Sequence, residues 1–272
     1  MRILALDTAT EACSVALLDG TRCVTRYEEP GRGHAERILP MIDAVLAEAG
    51  VKLAALDGVA VGRGPGAFTG VRIAISVAQG LAFGAGKRVA PISDLAALAQ
   101  RAVDAHDAAL VVASIDARMG EVYWGWYERG EDGLVSLVDE EHVSATDQVR
   151  FPAGGEWHGA GSGWKVDALV RRAQSMGGAS QRLHGSLFPR AEEIARLAVP
   201  QFSAGLAVPA EQACRCTCAI RSPCRCHRNH AVEARSHRTV ILFPCNTRVI
   251  RRRSSWPTNR SSSSKTSARS AR

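Results

Sequence analysis

Between the short apolar segment Val59-Ala60-Val61 and a long apolar helical pattern, the chain reads Gly62-Arg63-Gly64-Pro65-Gly66-Ala67-Phe68-Thr69-Gly70-Val71-Arg72. Glycine tolerates positive φ and lets backbones approach closely, Pro65 limits the loop conformers, and Thr69 is placed to cap the helix that follows. A strand, a glycine loop and a helix in succession point to an α/β architecture with something flat, anionic or proteinaceous against the loop. The run is not a Walker A loop, because the Gly-Lys-Ser/Thr ending is missing, and it does not match the dinucleotide fingerprint.

The flanking pattern extends that reading. Residues 2–7 alternate toward Asp7, residues 13–18 form a second apolar run, and Asp19-Gly20 is a two-residue turn into residues 21–28. From His34 to Ala49, the residues Ile38, Leu39, Ile42, Val45, Leu46 and Ala49 fall on one helical face. Thr69 to Phe83 is apolar around much of its circumference, which suits a central helix or one that also meets a partner. Its small residues Ala74, Ser76, Ala78, Gly80, Ala82 and Gly84 allow close helix contact. Arg88–Ile92 reads as a strand, and Ser93 or Asp94 caps a helix through Val103. Three strands, helix, strand, helix, strand, helix is the order of one ribonuclease-H-like half of an actin-type fold. The expected domains are therefore 1–107 and a second, degenerate unit over 108–213, with strands at Ala109–Ile115 and Glu121–Tyr127 and a helix over Arg190–Ala198.

Charge separates a third segment. Of 34 Lys/Arg and 27 Asp/Glu, residues 214–272 hold 14 and one, which leaves 20 basic against 26 acidic residues over 1–213. The net +7 thus averages a basic tail with a mildly acidic body that offers no general case for nucleic-acid affinity. Six of the eight cysteines, Cys214, Cys216, Cys218, Cys224, Cys226 and Cys245, lie in the tail near His227 and His230. Their alternation at a spacing of two is unlike the Cys-x-x-Cys knuckle that closes a metal tetrahedron. A one-nucleotide shift in a GC-rich gene re-reads residues 214–223 as Leu-Pro-Val-Tyr-Leu-Arg-Asp-Gln-Val-Ala, and out-of-frame GC-rich codons yield the Arg, Cys, Ser and Pro found there. The tail is accordingly expected to be frameshifted and disordered. No apolar run reaches the roughly 18 residues that span a bilayer, and the start lacks a secretory leader, so the expected location is the cytoplasm.

Candidate chemistry in the body is sparse. Asp7, followed by Thr8-Ala9-Thr10, suits either a nucleotide cleft or a local turn cap, and Asp116-Ala117-Arg118 is the best second acidic group. His34 and His106 have no metal-binding partner at His-x-x-x-His spacing, and Ser14, Ser93 and Asp94 form no acyl-transfer triad. Cys13 and Cys23 lie in strands where burial is the default. Tyr123, Trp124, Trp126 and Tyr127 read as a sheet face packed against a helix more economically than as a base-stacking platform.

The start Met1-Arg2-Ile3-Leu4-Ala5-Leu6-Asp7-Thr8-Ala9-Thr10, taken with the glycine run through Ile73, resembles the TsaB (YeaZ) family. Gly80-Leu81-Ala82, Ser93-Asp94-Leu95, Asp116-Ala117-Arg118 and Glu121-Val122-Tyr123 extend the resemblance over 1–213, and the re-read Leu-Pro-Val-Tyr-Leu looks like the family's usual ending. The resemblance implies tandem ribonuclease-H-like domains of the actin-like ATPase superfamily, without the full nucleotide and metal apparatus. It implies a non-catalytic subunit, with no cofactor or metal of its own, that heterodimerises with TsaD, works with the ATPase TsaE and homodimerises when alone. TsaD transfers threonylcarbamoyl from its adenylate to N6 of adenosine 37 in tRNAs reading codons that start with adenine. ATP and metal then belong to the partners, and tRNA is met through the complex. On this chain the implied interface is His34, Leu39, Val71, Ala74, Val77, Ala78 and Leu81, with Gly62, Arg63, Gly64, Pro65, Gly66, Phe68, Thr69, Gly70 and Arg72 forming the loop beside it. Asp7, Thr8 and Asp116 would be a vestigial nucleotide site. An older peptidase label for the family conflicts with the missing ligands and nucleophile. Two other readings stay open: an actin-like small-molecule kinase using Asp7 and Asp116, and an RNA-binding module built on the tail.

Overall fold

The computed structural model describes residues 1–152, 156–176 and 182–213. The tail over 214–272, expected from the sequence to be frameshifted, and its cysteines lie outside the described residues.

Apolar alternation organises the first sheet. Strands β1 (Arg2–Asp7), β2 (Cys13–Asp19) and β3 (Arg22–Glu28) form an antiparallel meander, and β4 (Gly58–Gly62) and β5 (Arg88–Ile92) join in parallel to give the order β3-β2-β1-β4-β5. Because successive side chains point to opposite faces, Leu4, Leu6, Val15 and Leu17 meet helices α1 (His34–Ala49) and α2 (Phe68–Ala85) on one side. Ile3, Ala5, Ala16 and Ala60 meet Ala97 of α3 (Asp94–His106) and Ile194, Ala195 and Ala198 of α5 (Ala191–Ser203) on the other. Periodic apolar spacing and left-handed Gly33 and Gly50 at the two ends delimit α1.

The second sheet orders β11-β10-β6-β7-β8, with β9 also on β7: β6 is Leu110–Arg118, β7 Glu121–Arg129, β8 Val135–Leu137, β9 His142–Ala145, β10 His158–Ala160 and β11 Leu183–His184. Leu95, Leu98 and Ala102 of α3 pack on Val111, Ala113 and Tyr127 of this sheet, so α3 serves both cores. The opposite face carries Trp124, Trp157, Trp164 and, from α4 (Asp167–Ser175), Leu169 and Ala173. The aromatic run is therefore divided between two buried faces, with Tyr127 on one and Trp124 on the other.

The two sheets lie on either side of residues 107/108, but their cores are not divided as the sequence is. Helix α5 returns to the first sheet, and the segment after it stays there: Val208 bridges Val89, the Arg88 guanidinium donates to the Ala207 carbonyl, and Gln79 donates to the Ala213 carbonyl at 2.8 Å. Contrary to the expectation from apolar runs, α2 is long and apolar enough by length and composition to cross a membrane; here its Val71, Ala74, Ala78 and Ala82 stripe is buried in the first core. Cys13 and Cys23 are free thiols, and burial pushes Cys13 up to about 12.

Three histidines gather at the far edge of the second sheet. His158 Nδ1 lies 3.0 Å from His184 Nε2, and His106 stacks on His184 with ring centroids 3.6 Å apart. Burial, and then the neighbouring imidazoles, push His184 down to about 4 from the ordinary 6.5, and His158 moves the same way. The unfolded chain thus takes up these protons first. Their contribution to stability is complete above pH 6.5 and is lost as pH falls toward 4. Melting curves at neutral and mildly acid pH should show a smaller acid loss for His184→Gln than for the native chain; an equal loss would assign the acid sensitivity elsewhere.

Candidate functional site

The glycine loop leaves β4 at Gly62 and enters α2 at Phe68. What lies against it is the chain's own segment after β1. A Cβ on Gly70 would stand 2.0 Å from the Thr8 carbonyl oxygen, and one on Gly62 would stand 2.3 Å from Asp94 Oδ1 and 2.7 Å from Asp7 Oδ1. Thr8 Oγ1 donates to the Gly70 carbonyl at 2.7 Å and the Ala67 amide donates to the Ala9 carbonyl at 2.6 Å. From the other side, the Arg63 amide donates to Ile92 O at 2.8 Å and the Asp94 amide to Gly64 O at 3.1 Å. The glycines here permit close backbone approach within the molecule. Thr69, expected as the cap of α2, lies in its first turn; Ala67 holds the N-cap position without a side-chain cap.

At the centre of this arrangement are two carboxyls. Asp7 Oδ1 accepts from the Ala9 amide at 2.8 Å, and Asp94 Oδ2 accepts from the Gly64 amide. Both residues are fully buried, and Asp7 Oδ2 and Asp94 Oδ1 find no protein N–H or O–H donor. Burial pushes Asp7 up to about 6, while burial and then the charge of Asp7 push Asp94 well above the carboxylate range. Sequence patterning assigns Asp94 to helix capping, but the Ser93 hydroxyl accepts from the Leu95 and Ala96 amides at 3.2 and 3.4 Å, which leaves Asp94 to turn inward. The adjacency of two candidate caps, only one of which the helix needs, is the signal that points to it.

Asp116 is occupied elsewhere: its carboxylate accepts from the Arg118 amide at 2.8 Å and the Arg118 guanidinium at 3.4 Å. Thr8 is fully buried with its hydroxyl on Gly70. The proposed trio of Asp7, Thr8 and Asp116 is thus committed to separate internal partners, with Asp94 as the partner of Asp7. Arg63 reaches across to Glu141 at 3.3 Å, and Glu141 Oε1 also accepts from Tyr127 Oη at 2.7 Å and from Ser93 Oγ. Nothing in the acidic run Asp139-Glu140-Glu141 marks Glu141 as the member that does this.

The remaining site residues lie on α1 and α2. Val71, Ala74 and Ala78 are fully buried against the first sheet, so they have no surface to offer a partner and are corrected from interface to core. Val77 and Leu81 are half-buried, His34 begins α1 half-buried, and Leu39 is 51% exposed. Ala35, Thr69, Arg72, Ile73, Ser76 and Val77 line a shallow cleft of about 340 Å³ between the two helices. Arg72 lies over the Phe68 ring and donates to the Phe68 carbonyl at 2.7 Å. Beyond it, residues 73–86 carry no charge, and the exposed line through Ser76, Gly80, Phe83 and Gly84 is small or apolar, with Phe83 79% exposed. A Cβ on Gly80 or Gly84 would meet nothing within 4 Å. Among the described residues, no group of three or more His, Cys, Asp or Glu is arranged to hold a metal ion.

A family model described as TsaD: tRNA N6-adenosine threonylcarbamoyltransferase matches residues 28–178. The chain is 42% identical over 223 residues to the tRNA threonylcarbamoyladenosine biosynthesis protein TsaB of Escherichia coli (strain K12), covering 78% of this chain and 92% of that protein. It is 56% identical over 124 residues to the Haemophilus influenzae protein of the same description, covering 46% and 52%. A solved structure described as YeaZ from Pseudomonas aeruginosa superposes with a TM-score of 0.73 at 49% identity, covering 79% of this chain and 98% of that one. A second, described as an uncharacterized protein with similarity to peptidase YEAZ from the same organism, gives the same score and identity over 79% and 97%.

Proposed function

The chain belongs to the TsaB (YeaZ) family, and from that premise we propose that it is the non-catalytic subunit that pairs with TsaD to support transfer of threonylcarbamoyl from its adenylate to N6 of adenosine 37 of tRNA. Membership itself carries the actin-like fold and a role in tRNA threonylcarbamoyladenosine biosynthesis. The family's members are non-catalytic partners. In this reading TsaE completes the assembly, ATP and metal are held by the partner proteins, tRNA is met through the complex in the cytoplasm, and two copies pair through the same face when TsaD is absent.

One observation supports the reading most directly: the exposed line of α2 is uncharged and contains glycines that the monomer does not need. A glycine in an exposed helix interior costs about 1 kcal/mol relative to alanine. Where no neighbour fills the space above it, a partner helix that approaches closely supplies a reason for its presence, and an uncharged exposed strip has the character of an interface. The half-buried Ile73 and Val77, with Ala35 of α1 across the cleft, give that face its apolar anchor.

The test is tRNA threonylcarbamoylation reconstituted from TsaD, TsaE and the adenylate, with and without this chain. Strong dependence on the added chain is expected. Equal modification without it, with the added protein folded, would reject the subunit role. The kinase reading has less to support it, because Asp7 is buried on the Ala9 amide while Asp116 is paired with Arg118 at the surface.

A further inference from the structure

Asp7 closes β1 and Asp94 opens α3, and their carboxyls meet beside Gly62 where neither reaches solvent. Each uses one oxygen on a backbone amide, Ala9 for Asp7 and Gly64 for Asp94, and each has a second oxygen without another protein donor. The side-chain position above Gly62 lies 2.3 Å from Asp94 Oδ1 and 2.7 Å from Asp7 Oδ1, which brings those two oxygens within about 5 Å of each other; two full negative charges this close, away from water, repel strongly, and one proton held between the carboxyls removes one charge. The surroundings are consistent with one proton. The groups facing the pair are the Arg63 side chain from the loop, the Cys13 thiol from β2, and the amides of Thr8, Ala9 and Gly64. Arg63 also pairs with Glu141 at 3.3 Å, and one cation supplies countercharge for one carboxylate, not for a dianion.

We propose that Asp7 and Asp94 share one proton, and that the resulting acid–carboxylate pair positions the Gly62–Gly66 loop and the start of α2 for partner docking. Asp94 is held to the loop twice, through its amide on Gly64 O and its carboxyl on Gly64 N. Asp7 orders Ala9, whose carbonyl receives the Ala67 amide immediately before α2. Thr69, Arg72 and Ile73 of the cleft follow within the first turns of that helix. Loss of the shared proton leaves two charges pressed against Gly62, and the loop is the element that moves to separate them. The docking part of this inference rests on the proposed function; the shared proton does not.

Linkage sets the direction. Both carboxyls hold protons more tightly in the folded chain than the ordinary 3.8, so their contribution is complete below that pH and is lost as pH rises, through about 6 for Asp7 and further for Asp94. Asp94→Asn reproduces the protonated form, since its amide can donate to Asp7 while its oxygen accepts from Gly64. The expected results are threefold. The infrared carbonyl band of a protonated carboxyl at neutral pH should be weaker in Asp94→Asn than in the native chain, measured in a Glu193→Gln background because burial also pushes Glu193 up to about 8. Above about pH 6.5, where the histidine contribution is already complete, thermal stability should decline with rising pH in the native chain and run flatter in Asp94→Asn, both in the same Glu193→Gln background. TsaD affinity should fall at least about tenfold in Asp94→Ala and stay within about threefold in Asp94→Asn. An unchanged infrared band, or the same pH profile in Asp94→Asn as in the native chain, would overturn the shared proton. Native affinity in a folded Asp94→Ala protein would overturn the positioning role, and if that variant does not fold, a tenfold loss in Asp94→Asn overturns it instead. Failure of the native chain to bind TsaD would sink the proposed function and the docking claim with it, while the infrared band still decides the proton.

Discussion

Replacing Gly70 with alanine is expected to lower the melting temperature by about 6–12 °C, a destabilisation of about 3 kcal/mol in a domain of this size. Helix propensity alone predicts the opposite sign, because alanine is the better helix former by about 1 kcal/mol. The difference lies in what the new methyl meets. At Gly70 it falls 2.0 Å from the Thr8 carbonyl oxygen and 3.1 Å from the carbonyl carbon, both backbone atoms of a segment tied down by the Thr8 hydroxyl on Gly70 O and by Ala67 on Ala9 O. Neither side can yield by rotating a side chain, so α2 must shift or the Thr8 bond must break. Gly80→Ala, ten residues further along the same helix, meets nothing within 4 Å and is expected to stabilise the chain by about 0.5–1 kcal/mol. Thermal melts of the two variants should move in opposite directions; a Gly70→Ala protein that melts at or above the native temperature would show that the first turn of α2 is not wedged against Thr8 as described.

The same contrast shows what the sequence could reveal. Helix α1 runs from His34 to Ala49 as its apolar spacing predicts, and the first five strands fall where alternation and the Asp19-Gly20 turn place them, because each of those signals is local. Strands β8 to β11 were not legible: they are two to four residues long and exist only through pairing with β6, β7 and one another. Helix α4, short and rich in polar residues, offers too little periodicity to stand out. In α5, Pro200 masks the last turn, which runs on to Ser203. For the site, periodicity reveals that α2 has two apolar faces but not which one the sheet takes, hence the reversal at Val71, Ala74 and Ala78. Asp94 and Glu141 depend on contacts made across 30 and 78 residues of chain, to Gly64 and Arg63, which no local pattern encodes.

Changing Val77 to aspartate should abolish pairing with TsaD, weakening it at least about a hundredfold, or roughly 3 kcal/mol, while the monomer stays folded. Val77 packs only its inner side on the core and turns the rest into the cleft with Ile73 and Ala35, so in the monomer a carboxylate there can remain solvated at the rim. In a docked complex it would be stripped of water against an apolar partner, and the cost of burying an unpaired charge falls on association alone. Gly80→Leu isolates the steric part of the same claim. It adds no charge, improves helix propensity and enters open space in the monomer, yet it fills the gap into which a partner helix would pack. If this face is the interface, the leucine variant should melt at or above the native temperature and still fail to bind TsaD or to support tRNA modification. Binding retained by both variants would move the interface off α2. Loss with Val77→Asp but not with Gly80→Leu would keep the cleft as the anchor and place the partner's backbone away from the glycine line.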